Sequence, residues 1–543
     1  MTKNILDESM KPRLMLRLLA VITVIIALCG PAFSVRSDSR TSRLLTYSEI
    51  AELYRSSRMA PELEVRLKNL LTEPFVSNLP TKGRPQVSTS PSLGHFIRIA
   101  QWNIERGVEF EALKAVFESG ESVEALLDQQ KYPLDSPSRN ELLDQVAQLR
   151  GSDVIILNEV DWGLKRSDYR NIPEELAAAL GWNYAFGVEF VELSPVQRGL
   201  SGSSDSDAFA EDIDVGRYRG LHGTAILSRF PLENVRLIPF RTQPYDWFEA
   251  ERKGVSLIEK GRRTLVRKVF LESAMQEVRR GGRSMLIAEI VDPRFPAGRA
   301  TVVATHLEIR TSPSKRRVQL NELLETIKPM RTPVIVAGDM NTSGTDMTPT
   351  TIERELRKRF GKPEYLIKTG INQILGIGML HDAVSATLTF GRNHGDPTVR
   401  HIPFLMPNEE RKFFSLLKDF RFDDGGRLDF RGEPSRSFGE KKNTLANSNE
   451  RDGKGFVTTF RLPRPIKFIG KFKLDWIFVK PVHLFDASDY QGSYLFAPHF
   501  GRTLGAVNSL VPERISDHSP IIVDLPLSEP HIKKSSKKKK YFR

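Results

Sequence analysis

Cysteine is nearly missing from this sequence: Cys29 is the only one in 543 residues. It lies inside an apolar run, so disulfides, Cys-ligated zinc and thiol catalysis are excluded for everything downstream. Long hydrophobic runs are also scarce. The clearest, LLAVITVIIALC at residues 18–29, is shorter than the roughly 20 residues a membrane span needs. Lys3, Lys11, Arg13 and Arg17 precede it, Gly30-Pro31 ends it, and the small residues Ala32 and Ser34 follow. Residues 1–34 are therefore predicted to be a secretory signal peptide. The rival reading is an uncleaved anchor, since Leu14-Met15-Leu16 lengthens the run. The first reading places the protein outside the cytoplasm, secreted or periplasmic; the second ties it to a membrane. No internal repeat is present. Negative charge is in deficit, with 80 Lys and Arg against 67 Asp and Glu and a net charge of +13, which suggests an anionic partner. Part of the excess is local: residues 533–543 hold six Lys and one Arg. Such a run is a solvated tail, or one drawn to phosphate backbones or an anionic membrane.

What the sequence does contain is a set of short apolar runs that end in polar residues. Residues 334–341 read VIVAGDMN. A β-branched run closed by Gly338 predicts a buried strand with Asp339 and Asn341 at its C-terminal mouth, where layered α/β proteins commonly build sites. The same shape recurs. QWNIERG delivers Asn103 and Glu105, LNEVDWG delivers Asn158 and Glu159, ATHLEI delivers His306, LDWIFV carries Asp475, and SDHSP carries Asp517 and His518. Buried carboxylates and imidazoles are costly unless paired or metal-bound. A single such strand end could be an Asx-turn, but six together predict the rim of one pocket.

In this order the segments WNIE, NEV, THLE, GDMN, LDWIF and SDHSP resemble the endonuclease/exonuclease/phosphatase superfamily. The stretch HGTAILSRFP at residues 222–231 strengthens the likeness. The resemblance implies an α/β (α+β) four-layer sandwich, two packed β-sheets flanked by helices. It also implies a divalent-metal-dependent phosphodiesterase using Mg2+ or Mn2+. Asn103 and Glu159 would hold the metal, with Asp517 as a further ligand and Glu105 as an accessory that touches the metal or orients a neighbour. Asp339 would orient or deprotonate the attacking water and Asn341 would bond a phosphate oxygen. His306 would bind the phosphate or help the leaving group. His518, oriented by Asp475, would act as general base or as donor to a phosphate oxygen. The choice between Asp339 and the Asp475–His518 pair as base stays open.

The site residues span the chain, so one catalytic domain is expected over residues 95–526. A linker and helical segment precede it (35–94), insertions fall near 245–283 and 354–465, and a basic tail follows (527–543). Helical spacing marks residues 47–71, 142–149 and 314–329. The first insertion ends in Arg279-Arg280-Gly281-Gly282-Arg283, which reads as a solvated cover or a phosphate-facing element, with the solvated reading favoured. The expected partner is a phosphate ester, nucleic acid before phospholipid or inositol phosphate. Membrane contact would come through the N-terminal segment or the tail, and the protein is expected to be a monomer. A non-catalytic scaffold of the same fold ranks last, because every expected polar position is filled.

Overall fold

The computed structural model describes residues 43–55, 58–79, 85–193, 213–252, 277–342, 410–453, 455–466, 469–483, 494–512 and 514–528. The predicted signal segment, the tail from residue 529 and most of both insertions lie outside them. Among the described residues no helix is long and apolar enough to cross a membrane.

Two large sheets carry the fold. The first, nine-stranded, contains β1 (Phe75–Ser77), β2 (Ser88–Ser90), β3 (Gly94–Arg106), β4 (Val154–Trp162), β5 (Asn183–Glu192), β6 (Leu221–Ser228), β8 (Arg279–Gly281), β19 (His499–Thr503) and β20 (Ile521–Pro526). The second runs β16 (Asp475–Lys480), β11 (Val334–Asp339), β10 (Arg299–His306), β9 (Ser284–Val291) and β7 (Leu232–Pro239). Three two-stranded ribbons complete the strands among the described residues: β12 (Arg451–Asp452) with β13 (Gly455–Phe456), β14 (Phe460–Ile466) with β15 (Ile469–Phe472), and β17 (Val482–His483) with β18 (Tyr494–Leu495).

Side chains alternate across a strand, and that parity builds the core. Ile97 and Ile99, Val154 and Ile156, Ala300, Val302 and Ala304, Ile335 and Ala337, and Ile477 and Val479 share one buried cluster between the sheets. The opposite parity of sheet two, Val303, Val334, Val336, Trp476 and Phe478, packs with Leu320, Leu323, Leu324 and Ile327 of one helix and Phe413, Phe414 and Leu417 of another. Among the described residues the α-helices, in chain order, are α1 (Tyr47–Arg55), α2 (Pro61–Thr72), α3 (Phe110–Glu118), α4 (Gly120–Leu126), α5 (Pro137–Arg150), α6 (Ile172–Leu180), α7 (Glu249–Arg252), α8 (Pro313–Ile327) and α9 (Arg411–Asp419). Thus α8 and α9 cover sheet two, while α6 packs on β4 and β5 of sheet one. Helix, sheet, sheet, helix is the expected four-layer order.

Sequence spacing anticipated most of these elements, with one difference. Residues 74–92, read as linker, contain β1 and β2, which pair with β5 and β3. Most of the first insertion lies outside the described residues, which include the four-residue α7 there.

Parity also places the site. Continuing the inward positions gives Gln101 and Asn103 on β3, Asn158 on β4, His306 on β10, Asp339 on β11 and Asp475 on β16. Asn103 lies opposite Asn158. His306, Asp339 and Asp475 form one row across sheet two. Gly338 lets this row close. It has φ +153, and a Cβ there would stand 1.8 Å from the carbonyl oxygen of Thr305 and 3.3 Å from Asn158 Oδ1. Gly338→Ala is expected to cost about 3 kcal/mol or more, because backbone must move. Urea unfolding checks this, and a loss under 1 kcal/mol would show the close approach to be unimportant.

Candidate active site

Asp339 is the hub. Its Oδ2 lies 3.5 Å from His306 Nε2 and 3.7 Å from His518 Nε2, and it accepts from Asn103 Nδ2 at 3.2 Å. The same amide nitrogen donates to Glu159 Oε1 at 3.1 Å. Asp339 Oδ1 accepts the backbone N–H of Asn341 at 2.8 Å. Asp475 Oδ2 receives His518 Nδ1–H at 2.7 Å, so the predicted orienting pair is present. All of these residues are buried except Glu159, which is partly exposed.

The backbone is strained at the rim. Glu105 has φ 48, Glu159 φ 53 and Asn341 φ 48, left-handed conformations that side-chain-bearing residues adopt rarely and that cluster at functional sites. Glu105 and Glu159 stand at irregularities in the pairing of β3 and β4, and Asn341 stands just past the end of β11.

Electrostatics separate the two imidazoles. Burial opposes charge on His518, but Asp475, Asp339 and Asp517 outweigh it and lift the ring well above its ordinary pKa. His306 goes the other way: burial and then Arg283 push it well below. Arg283 Nη1 donates to His306 Nδ1 at 2.8 Å. With Asn341 Nδ2 3.1 Å from Nε2, both ring nitrogens of His306 face N–H donors. Burial raises Asp339 to about 6, with His518 lowering and Asp475 raising it. Burial also works against the charge on Glu159, yet Arg106 and His518 reverse this and hold it below the usual carboxylate range.

The remaining predicted residues take supporting places. Glu105 accepts the Asp517 backbone N–H at 2.6 Å and pairs with Arg514 at 3.1 Å; it therefore orients the loop that carries His518. The Asp517 carboxylate lies at the edge, 3.8 Å from His518 Nε2. Asn341 Nδ2 donates to the Leu307 carbonyl at 2.9 Å and lies 3.1 Å from His306 Nε2. Residues outside the predicted set also build the centre. Gln101 Nε2 donates to Asp475 Oδ1 at 3.0 Å and to Asn158 Oδ1 at 3.1 Å, joining the sheets. Asn158 Oδ1 also accepts the Asp339 backbone N–H at 2.9 Å. Gln101 was findable, since it sits two residues before Asn103 on the same face.

Arg283 had no signal in the sequence, and here the favoured solvated reading of the Arg279–Arg283 cluster is corrected. Arg279 and Arg283 are buried. Arg283 pairs with Glu189 at 2.8 Å. Arg279 pairs with Glu192 at 3.0 Å and with Glu277, which also receives Arg106 at 2.6 Å. Carboxylates from β5 and from the insertion's own end neutralise the cluster, which explains its burial.

Glu159 and Asp339 converge on one donor, and oxygen-rich sets of this kind fit a hard divalent cation. Asp339, Asp475 and His518 form a second set whose ligand atoms lie within 4.8 Å of one another. Asp475 is already committed to the His518 proton, so Glu159, Asp339 and Asn103 fit better.

A helix-flanked two-sheet sandwich with carboxylates and imidazoles on one inner rim defines a layered α/β protein with a candidate catalytic centre between its sheets. The chain belongs to the endonuclease/exonuclease/phosphatase family, whose sequence model matches residues 100–518; members of that family are generally hydrolases of phosphoester bonds. Solved structures similar to it include an endonuclease/exonuclease/phosphatase from Beutenbergia cavernae (16% identity, covering 80% of this chain and 72% of that one, TM-score 0.35). Others are the human nocturnin catalytic domain (14%, 79% and 93%, 0.34) and an AP endonuclease from Archaeoglobus fulgidus (12%, 79% and 98%, 0.32). No curated protein sequence matches the chain.

Proposed function

We propose that the protein is a divalent-cation-dependent phosphodiesterase that cleaves nucleic acid by attack of water on phosphorus. The observation that carries this reading is the convergence of two imidazoles on Asp339, with Asn103 joining that carboxylate to Glu159. Hydrolysis of a phosphodiester needs a positioned water, a proton acceptor, donors for the phosphate oxygens and neutralisation of charge. His518 carries its proton and cannot accept another, so Asp339 is the acceptor for the water. His518 Nε2–H is the cationic donor, and neutral His306 stands on the other side of Asp339. Asn103, Glu159 and Asp339 would hold the cation, with the Asn103 amide turned so that Oδ1 faces it. When bound, the cation would neutralise the phosphate and the departing oxygen. Substrate and metal are proposals of this reading, as is delivery outside the cytoplasm by the N-terminal apolar segment.

The test is hydrolysis by the full chain with Mg2+ or Mn2+ of plasmid DNA, RNA, sphingomyelin, an inositol polyphosphate and bis-p-nitrophenyl phosphate. Cleavage of DNA or RNA supports the reading. Activity confined to the lipid or inositol substrates replaces nucleic acid with those classes, and no activity on any of them sinks it.

A further inference from the structure

Strand β6 brings a third imidazole to the cleft between the sheets. Its inward positions run from Ile226, in the inter-sheet core, to Thr224, which accepts from Asn158 Nδ2 at 3.2 Å, and then to His222. β6 itself holds no extra residue, because the irregularities in its pairing fall on β4 and β5. The alternation therefore holds, and His222 faces the same side as Asn158. Its register partner is Asp161, two residues past Glu159. The ring lies close enough to bear on the charge of both Glu159 and His306.

The protonation of His222 is set from behind. Its Nδ1 lies 2.8 Å from Asp161 Oδ1, and both residues are buried. Asp161 also accepts Arg166 Nε and Nη2 at 2.6 and 3.0 Å, which keeps it a carboxylate. A carboxylate only accepts, so Nδ1 carries the imidazole proton. Burial, aided by Arg279, pushes the ring down to about 4 in spite of Asp161. At neutral pH His222 is uncharged, and Nε2 presents a lone pair. Among the described residues nothing hydrogen-bonds Nε2, and it is not one of the sealed polar atoms left without a partner. It therefore opens on the cleft.

A lone pair repels phosphate oxygens and holds an O–H or N–H donor. This makes His222 the chemical opposite of His518, which donates. In a polynucleotide both bridging oxygens of an internal phosphodiester are esterified. The one hydroxyl beside it is the ribose 2′-OH, which DNA lacks.

We propose that His222 is a specificity-determining residue whose Nε2 accepts the ribose 2′-hydroxyl next to the scissile phosphate, so that the substrate is RNA rather than DNA. This rests on the nucleic-acid reading above and names the substrate class within it. Asp161 and Arg166 are positioning residues that hold the imidazole in its accepting tautomer.

The test is cleavage by the full chain, with Mg2+ or Mn2+, of three oligonucleotides of one sequence: RNA, DNA and 2′-fluoro RNA. Fluorine keeps the ribose shape but donates no proton. The RNA should have a kcat/KM about 10- to 100-fold above the other two, the range one hydrogen bond covers. This comparison needs no variant to fold. His222→Ala should bring the RNA-to-DNA ratio close to one by lowering the RNA value. His222→Gln, whose amide oxygen still accepts, should keep part of the ratio. In Asp161→Asn, Arg166 would hold the amide oxygen and leave the NH2 facing Nδ1. The imidazole proton then moves to Nε2, and the preference should be lost with His222 still in place.

Equal cleavage of RNA and DNA by the wild type overturns the proposal, as does equal cleavage of RNA and 2′-fluoro RNA, which would assign the preference to sugar shape. A His222→Ala variant that loses activity on RNA and DNA alike and keeps their ratio marks the residue as structural and overturns it too. The catalytic reading is judged separately on bis-p-nitrophenyl phosphate, which has no sugar. Activity there without a preference for RNA sinks the role of His222 alone, whereas inactivity there and on every oligonucleotide sinks the catalytic reading.

Discussion

Replacing His518 with alanine should lower turnover of bis-p-nitrophenyl phosphate by about 10³-fold or more, at the upper end of what a positioned proton-transfer group contributes. Asp475→Asn should cost nearly as much, and the double variant little more than either single one, because the two side chains act as one unit through their 2.7 Å bond. The pH dependence fixes the role. Asp475, Asp339 and Asp517 hold the imidazole protonated well above its ordinary range against the pull of burial. A cationic donor works below its pKa and fails above it, so the rate should fall as pH rises through the raised value. The acid limb belongs to Asp339, which must be ionised to take a proton from water. Its pKa of about 6 puts that limb near or below 6, lower if a cation binds. Removing the Asp475 charge takes away the largest influence raising His518, so in Asp475→Asn the alkaline limb should move down. If His518 were instead the base, its limb would lie on the acid side, and Asp475→Asn would extend activity to lower pH. A pH–rate profile of the two proteins separates the cases. The limb that moves identifies the group, whatever the size of the rate loss.

The centre was legible in the sequence because it is built from strand ends. An inward position that is apolar along a strand and polar at one end is visible without coordinates: Asp339 and His306 close β11 and β10, and Asp475 opens β16. So is the sandwich, whose two parities separate into the inter-sheet core and the face under α8 and α9. What stayed hidden depends on contacts between distant segments. Nothing local marks Arg283 as the partner of His306, because their bond crosses from the end of an insertion to a catalytic strand. The Arg279–Arg283 cluster looked solvated because its carboxylate partners, Glu189 and Glu192, lie some ninety residues away. The ambiguity of Glu105 has the same source, since its acceptor role depends on the loop holding Asp517. Local pattern therefore identified residues that face the substrate pocket better than those that fix their protonation.

Glu159→Gln should reduce turnover by about 10³-fold at fixed Mg2+, equivalent to the several kcal/mol a metal contributes to transition-state charge stabilisation. It should also raise the Mg2+ concentration needed for half-maximal rate. The argument rests on two carboxylates brought to one amide nitrogen, 3.1 and 3.2 Å away. Asn103 can satisfy both without a metal ion, and a divalent cation would add the further neutralisation an approaching phosphate needs. An amide at position 159 keeps the shape and removes half of that charge. A readout independent of turnover is available, because a ligand that binds only the folded state stabilises it by mass action. Saturating Mg2+ or Mn2+ at 100 times its dissociation constant should add about 2.7 kcal/mol to the wild type and much less to Glu159→Gln. Full activity after chelation, or equal stabilisation of both proteins by the cation, would show that Glu159 is not a ligand. In that case its low pKa would mark a structural partner of Arg106, and the chemistry would rest on Asp339 and the two histidines.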